Sequence, residues 1–228
     1  MNRSKTSPLS RLSRAAALAI AAGLCSAAWA DDEASLRSGA MWQWAFSIPT
    51  PVNPMIDATG QNCMVGQNGS TWFLPSALGG GLAARSCTVP EGVKLVVAVG
   101  GAVYTNTPGL CGDPPTPLSA ADMRAAISGF VDSFTQVSVT LNGAPVRSVR
   151  RVRSKVYPVA LPANNVFGLF CPAPGIPAGL YRTLDDGYVA EIEHLKVGTH
   201  TLSAGASNGG SFTTNVVYTI TVVPREKH

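Results

Sequence analysis

Histidine and carboxylate are the side chains from which a hydrolytic or acid–base site would be assembled in this chain. It holds three histidines, His194, His200 and the terminal His228. A Ser-His-Asp arrangement would need His194 or His200, and no GxSxG elbow accompanies them. A zinc site would want two or three histidines converging, and the HExxH pattern is absent. On adjacent strands His194 and His200 could approach one another. With Glu193 or Asp186 they would make a thin metal or acid–base site. Glu191 and Glu193 offer a second option, since on one strand face they stand ~7 Å apart. That separation is compatible with acid/base work on a glycosidic bond, although any solvent-facing strand shows the same pair. The catalytic candidates, for a hydrolase or a lyase, are therefore His194, His200, Glu191 and Glu193, and no complete constellation is visible among them.

The candidate binding residues fall in two groups. Trp42 and Trp44 would share one face on a strand and could stack on a sugar ring. On a helix they would diverge by about 200°. Trp72 extends this aromatic set, and the plainer reading is that the indoles fill core. Arg151, Arg153 and Lys155 share one face at period two and could hold a sugar acid or a phosphate, but such charges more commonly protect an edge strand. Asp57, Asp185 and Asp186 lack EF-hand spacing. Gly79-Gly80-Gly81 lacks the GKS/T ending of a phosphate cradle. The residues thus imply no metal and no cofactor, and leave a carbohydrate, a small molecule or a protein as partner.

The positioning elements begin after an export signal. Residues 1–30 carry Arg3, Lys5, Arg11 and Arg14, then the apolar run Ala15 to Leu24, then Ala28-Trp29-Ala30 as a small-x-small cleavage site. The run is too short to span a bilayer, which takes roughly 20 residues, and no transmembrane segment is expected after cleavage. The chain has 17 Lys+Arg and 13 Asp+Glu. Four of the basic residues and none of the acidic ones fall in the signal, so residues 31–228 are formally neutral and lack the basic excess of a nucleic-acid binder. They are expected to form a single domain in the periplasm or outside the cell. Cys63, Cys87, Cys111 and Cys171 remain, an even count that implies two disulfides in an oxidising compartment. Three pairings are possible. Cys63–Cys87 and Cys111–Cys171 are favoured, because the first closes a short loop around Trp72 and the second ties two Pro-rich connectors.

Most of the remaining signals are β. Arg85 to Val89 and Val93 to Val99 read as a hairpin about Pro90-Glu91-Gly92, and the second arm, apolar at both parities, as a strand covered on both faces. One helix is clear at about 119–134. Ser119 is its N-cap, and Met123, Ile127, Phe130, Val131 and Phe134 form an apolar stripe. Val137, Val139 and Leu141 lead into the hairpin signal Asn142-Gly143, with the five basic residues from Arg147 to Lys155 on the returning arm. Residues 162–186 read as an irregular connector ending in a turn at Asp185-Asp186-Gly187, followed by strands at Tyr188 to Leu195, Thr199 to Ala206 and Ser211 to Val223.

The tail, from Val197-Gly198-Thr199-His200-Thr201-Leu202 through Asn208-Gly209-Gly210 to Tyr218-Thr219-Ile220-Thr221-Val222, resembles the closing hairpin of bacterial immunoglobulin-like sandwich domains. That resemblance implies an inward, structural His200 beside Leu202 and Ala204. The earlier residues Trp42-x-Trp44, Asn53-Pro54, Asp57-x-Thr59-Gly60, Trp72-Phe73-Leu74 and Arg85-x-Cys87-x-Val89-Pro90 resemble a set of uncharacterised exported bacterial proteins and import no activity. The expected fold is mainly β: a disulfide-stapled β-sandwich, immunoglobulin-like or jelly-roll-like, with one packed helix. The expected function is an exported non-catalytic binding or structural module. The alternative is an exported hydrolase or lyase using His194 or His200 with a nearby carboxylate.

Overall fold

The most apolar run of the chain becomes the middle of a sheet. In the computed structural model, which describes residue 33 and residues 35–225, Leu95, Val96, Val97 and Val99 are 0–1% exposed. They belong to β3 (Lys94–Thr105), which is covered on both faces as its double-parity apolar pattern requires. The signal at residues 1–30 and His228 lie outside the described residues.

The first sheet runs β1 (Thr71–Leu74), β3, β8 (Gly179–Ile192), β6 (Arg150–Arg153), with β7 (Tyr157–Leu161) also paired to β8. The second runs β2 (Gly81–Pro90), β10 (Thr213–Val223), β9 (Gly198–Ser207), β4 (Gln136–Leu141), β5 (Ala144–Pro145). β1 pairs with β3, and β2 with β10, in parallel. Leu95, Val97, Val99, Ala190 and Ile192 of the first sheet meet Val89, Leu202, Ala204, Val216, Tyr218 and Ile220 of the second in one core. The protein is therefore a mainly β sandwich, stapled by Cys63–Cys87 and Cys111–Cys171.

Two helices pack on it rather than one. The expected helix is α2 (Ala120–Asp132), where the Ser119 hydroxyl accepts from the Asp122 N–H and Met123, Ile127 and Val131 are buried. Met123 and Ile127 pack with Leu184 of β8. The other helix, α1, spans residues 35–47. Met41, Trp44, Ala45 and Ile48 are buried at helical spacing, and three of them join Met55, Val159, Leu161, Val166 and Ile176 in a second core. Phe73, the β1 residue that turns away from the sandwich, packs against it too.

Three local expectations are corrected. Arg85–Val89 and Val93–Val99 do not form a hairpin. The turn at Pro90-Glu91-Gly92 carries the chain from one sheet to the other, because β2 finds its partner in β10 along its whole length. The Asn142-Gly143 hairpin forms, but its returning arm β5 ends after two residues, and Arg150–Arg153 cross to pair with β8. Asp185-Asp186-Gly187 is not a turn but the middle of β8, the longest strand. Gly187 faces Gly101 on β3, and a Cβ at 101 would meet the Gly187 Cα at 2.6 Å, so glycine here serves close strand approach. His200 keeps the inward parity of Leu202 and Ala204 and the expected structural hydrogen bonding, standing half-buried at the rim of the core near the start of β9.

Candidate functional site

Of the acid–base candidates, His200, Glu191 and Glu193 are already engaged. The His200 Nε2–H donates to the Lys196 carbonyl at 2.8 Å, and its Nδ1 accepts from the Asn142 amide at 3.1 Å. Both ring nitrogens are thus used, Nδ1 in fastening β9 to the β4–β5 turn and Nε2 in closing the loop between β8 and β9. His194 is 91% exposed in its side chain and lies 3.6 Å from Glu193. It does not converge with His200. Glu191 and Glu193 do come together, both on the Lys94 ammonium, at 3.6 and 2.6 Å. Glu191 also accepts from Arg37 at 2.9 Å and from Arg150. Burial pushes the Glu191 carboxyl up, but the Arg37 and Arg150 hydrogen bonds outweigh it and hold it below its ordinary value. Lys94 does the same for Glu193. A glycosidase pair needs one carboxyl kept protonated as general acid, and here both are drawn toward the ionised form. An open groove of about 520 Å³, lined by Arg147, Ser148, Val149, Arg150, Glu191 and Glu193, is therefore walled partly by ion pairs. Among the described residues no three His, Cys, Asp or Glu side chains stand together as metal ligands.

Two of the basic candidates, Arg151 and Arg153, meet anions supplied by the fold. Arg151 grips both carboxylate oxygens of Asp186 at 2.7 and 2.9 Å and reaches Asp132 at 2.6 Å. Arg153 adds a contact to Asp186 at 3.3 Å. Asp186 is fully buried. Desolvation would raise it, and the Arg151 hydrogen bonds overcome that and lower it. Lys155 lies beyond β6, its backbone N–H donating to Ser35 Oγ of α1 at 3.1 Å. Asp185 points to the opposite face of β8, toward α1. It accepts from Ser38 Oγ at 2.5 Å and from the Tyr157 hydroxyl at 2.9 Å. Burial raises its carboxyl despite these bonds. The aromatic candidates are in the packing. Trp72 is in the main core. Trp44 is in the second core with its indole N–H on the Val65 carbonyl at 2.9 Å, and half-buried Trp42 sits on Phe46 at 5.2 Å.

The motif residues of the N-terminal half form one scaffold. Arg85 is 3% exposed. It donates to the carbonyls of Asp57 and Pro75, each at 2.7 Å, of Met55 at 3.0 Å, and to the Tyr218 hydroxyl at 2.8 Å. Asn53 ties the Ala45 and Ile48 carbonyls at the end of α1. The Asp57 carboxylate accepts from the N–H groups of Thr59 and Asn62. Gly60, at φ +87°, lies so close to β2 that a Cβ would meet the Ser86 carbonyl oxygen at 2.4 Å, while Ser86 N–H donates to Thr59 O at 2.8 Å. This loop covers part of the β2 edge.

Unused bonding capacity is gathered on the outer face of the second sheet. Its positions alternate with the core residues along β2, β10, β9 and β4, and none carries a charge. The chain as a whole is poor in charge, at 13% Asp, Glu, Lys and Arg, and this face has none. The register sets Ser86, Thr219 and Thr201 in one row and Thr88, Thr221 and Thr199 in the next. All six are exposed. They form a hydroxyl lattice with spacings of about 4.8 Å across the strands and about 6.7 Å along them. Beside it lies a groove of about 240 Å³ lined by Gln136, Ser138, Ser203, Gly205, Thr213 and Asn215 among others. Gly205 forms part of it, where a Cβ would meet Thr214 O at 2.8 Å and Asn215 Oδ1 at 3.1 Å. Ser203 Oγ donates to Asn215 Oδ1 at 3.1 Å, holding the amide in place. None of these residues stood out in the sequence. The available signal was the period-two hydroxyl pairs Ser86/Thr88, Thr199/Thr201 and Thr219/Thr221.

No protein-family model matches the chain, and no curated protein matches it. Comparison with solved structures aligns it with the solution structure of amebosin at 9% identity, over 62% of this chain and 96% of that one, with a TM-score of 0.18.

Proposed function

We propose that this protein is an exported, non-catalytic binding module that recognises an uncharged partner through the outer face of its second sheet. The observation that carries the reading is the division of labour among polar groups. Apart from the exposed His194, the groups that would do chemistry are committed to holding the fold together, whereas the six-hydroxyl lattice and its groove present polar groups to solvent on a face without charge. Export accords with two disulfides and with the signal-like residues 1–30. Among the described residues no helix is long and apolar enough to cross a membrane.

The test is a thermal-shift panel of glycans, organic acids, aromatic metabolites and lipids, with product analysis of every hit. A ligand at 100 times its dissociation constant adds about 2.7 kcal/mol, or about 5–10 °C for a chain of this size. The expected hit is recovered chemically unchanged, and its shift is lost in Thr219→Lys. Conversion of a hit that stops in His200→Ala would establish the enzyme alternative instead.

A further inference from the structure

We infer that the partner is a neutral polysaccharide, laid over the Ser86–Thr219–Thr201 row and running along β9 and β10 past Ser203 and Val217 into the Asn215 groove. This inference rests on the binding-module reading above and names its ligand class. Three features of the face select the occupant.

First, the absence of charge removes the attraction that an acidic glycan, a nucleic acid or a phospholipid headgroup requires, while a neutral polymer needs none. Second, the exposed groups suit hydroxyls. Each Ser or Thr hydroxyl both donates and accepts, and the amides of Asn215 and Gln136 offer a donor and an acceptor side by side, the arrangement that pairs with two neighbouring sugar hydroxyls. The lattice hydroxyls make no hydrogen bond with other described residues, so a hydroxylated ligand gains bonds without breaking any within the protein. Third, the face is poorly suited to a second copy of itself, because its apolar members, Leu82, Ala84 and Val217 on one side and Val223 on the other, are divided by the two hydroxyl rows. Protein interfaces have apolar cores, and stacking two such sheets would bury hydroxyls from both sides without assured partners. A polymer lying on the face supplies a partner for each hydroxyl it covers. The missing side chain at Gly205 opens the groove beside the lattice, so the ligand continues from exposed strand surface into a recess.

The experiment is affinity electrophoresis of the full chain in gels containing xylan, mannan, hydroxyethylcellulose or β-1,3-glucan, beside alginate and polygalacturonate, with size-exclusion light scattering on the same samples. Three proteins are compared: wild type, Thr219→Lys, and the Thr219→Val/Thr221→Val double variant, which keeps side-chain shape and strand propensity. The expected result is retardation by at least one neutral polymer and by neither acidic one. The dissociation constant should rise at least tenfold in both variants with no change in melting temperature. Equal retardation by acidic polymers, neutral binding that persists in both variants, or no retardation in any gel would overturn the inference. So would a concentration-dependent dimer that Thr219→Lys dissolves, because a second copy would then be the occupant. The two levels separate cleanly. A thermal-shift hit outside the glycans that Thr219→Lys abolishes overturns the glycan while leaving the module. A flat thermal-shift panel together with unretarded protein overturns both.

Discussion

Replacing Arg85 with methionine tests the claim that this residue fastens the loops between α1 and β2 to the sandwich. Methionine keeps most of the aliphatic volume and removes four donated hydrogen bonds. Their acceptors are not equally exposed to the loss. Pro75 O still accepts from the Tyr218 hydroxyl at 2.6 Å, and Met55 O still accepts from Leu78 N–H at 3.2 Å. The Asp57 carbonyl loses the side-chain donor that reached it at 2.7 Å. A buried carbonyl without a partner costs about 1–3 kcal/mol, and each weakened acceptor about 0.5–1.5 kcal/mol. The Arg85 guanidinium also stands 5.7 Å from the Tyr218 ring centroid, a contact worth about 1 kcal/mol. Relief from burying a guanidinium offsets part of the total, so the net loss is expected near 3–4 kcal/mol. At about 2–4 °C per kcal/mol for this chain length, the melting temperature should fall by about 6–16 °C. Differential scanning calorimetry gives the fall, and hydrogen exchange gives its location. Leu78 N–H, which bonds Met55 O, should lose protection before the amides of β9 and β10. Arg85→Lys keeps the charge but cannot span three carbonyls on two loops, and should recover less than half of the loss. A methionine variant melting within about 2 °C of wild type, or a lysine variant indistinguishable from it, would refute the reasoning.

Three further outcomes are expected. Arg151→Met leaves the fully buried Asp186 with Arg153 and Ser128 as its remaining partners. Breaking a buried pair on one side costs about 3–5 kcal/mol, so urea denaturation should show a loss near 3 kcal/mol, and a loss under 1 kcal/mol would contradict the pairing. Asp185 has the opposite pH signature. Its folded carboxyl is raised by burial, so the stability it contributes is complete at acid pH, below its unfolded value, and falls as pH rises through the folded value. Asp185→Asn should therefore flatten that decline and melt above wild type at neutral pH, and an unchanged slope of melting temperature against pH would count against a buried, raised carboxyl. Removing the Cys63–Cys87 bridge, which closes a separation of 24 residues, should cost about 3 kcal/mol in the double-alanine variant. Mass spectrometry of the unreduced wild type should find no free thiol at the four cysteines.

Elements specified by local pattern were legible. α2 announces itself through the Ser119 cap and the Met123, Ile127, Val131 stripe, and β3 through apolar residues at both parities. Elements whose identity depends on remote partners were not. Pro90-Glu91-Gly92 is a sound turn signal, but a hairpin and a crossing between sheets begin with the same turn. Only the parallel pairing of β2 with a strand more than a hundred residues later decides between them. Asp185-Asp186-Gly187 has turn composition. It becomes strand because Arg151 neutralises Asp186 on one face, Ser38 and Tyr157 bond Asp185 on the other, and Gly187 lets β3 come close. Trp42 and Trp44 fitted a strand face as well as a helix. The helix prevails because Met41, Trp44, Ala45 and Ile48 reach one buried side only at its period.

The same distinction explains why the eye falls first on Glu191 and Glu193 when a site is sought in this sequence. Glu191 and Glu193 look reactive because their counter-ions are remote. Arg37 lies 154 positions from Glu191 and Arg150 lies 41 away, and nothing local shows that those charges are already matched. The hydroxyl lattice has the converse history. Each pair, Ser86/Thr88, Thr199/Thr201 or Thr219/Thr221, is by itself an ordinary solvent-facing stretch of strand. They become a surface only through register, and since side chains alternate faces, a slip of one residue in either pairing would turn a row inward. The register is held by the residues between them, Cys87, His200 and Ile220, of which Cys87 is locked by its disulfide and Ile220 is fully buried. Core packing and the lattice are thus two faces of one constraint. A substitution that shifts β2 against β10 should therefore abolish ligand binding even where every lattice hydroxyl is retained.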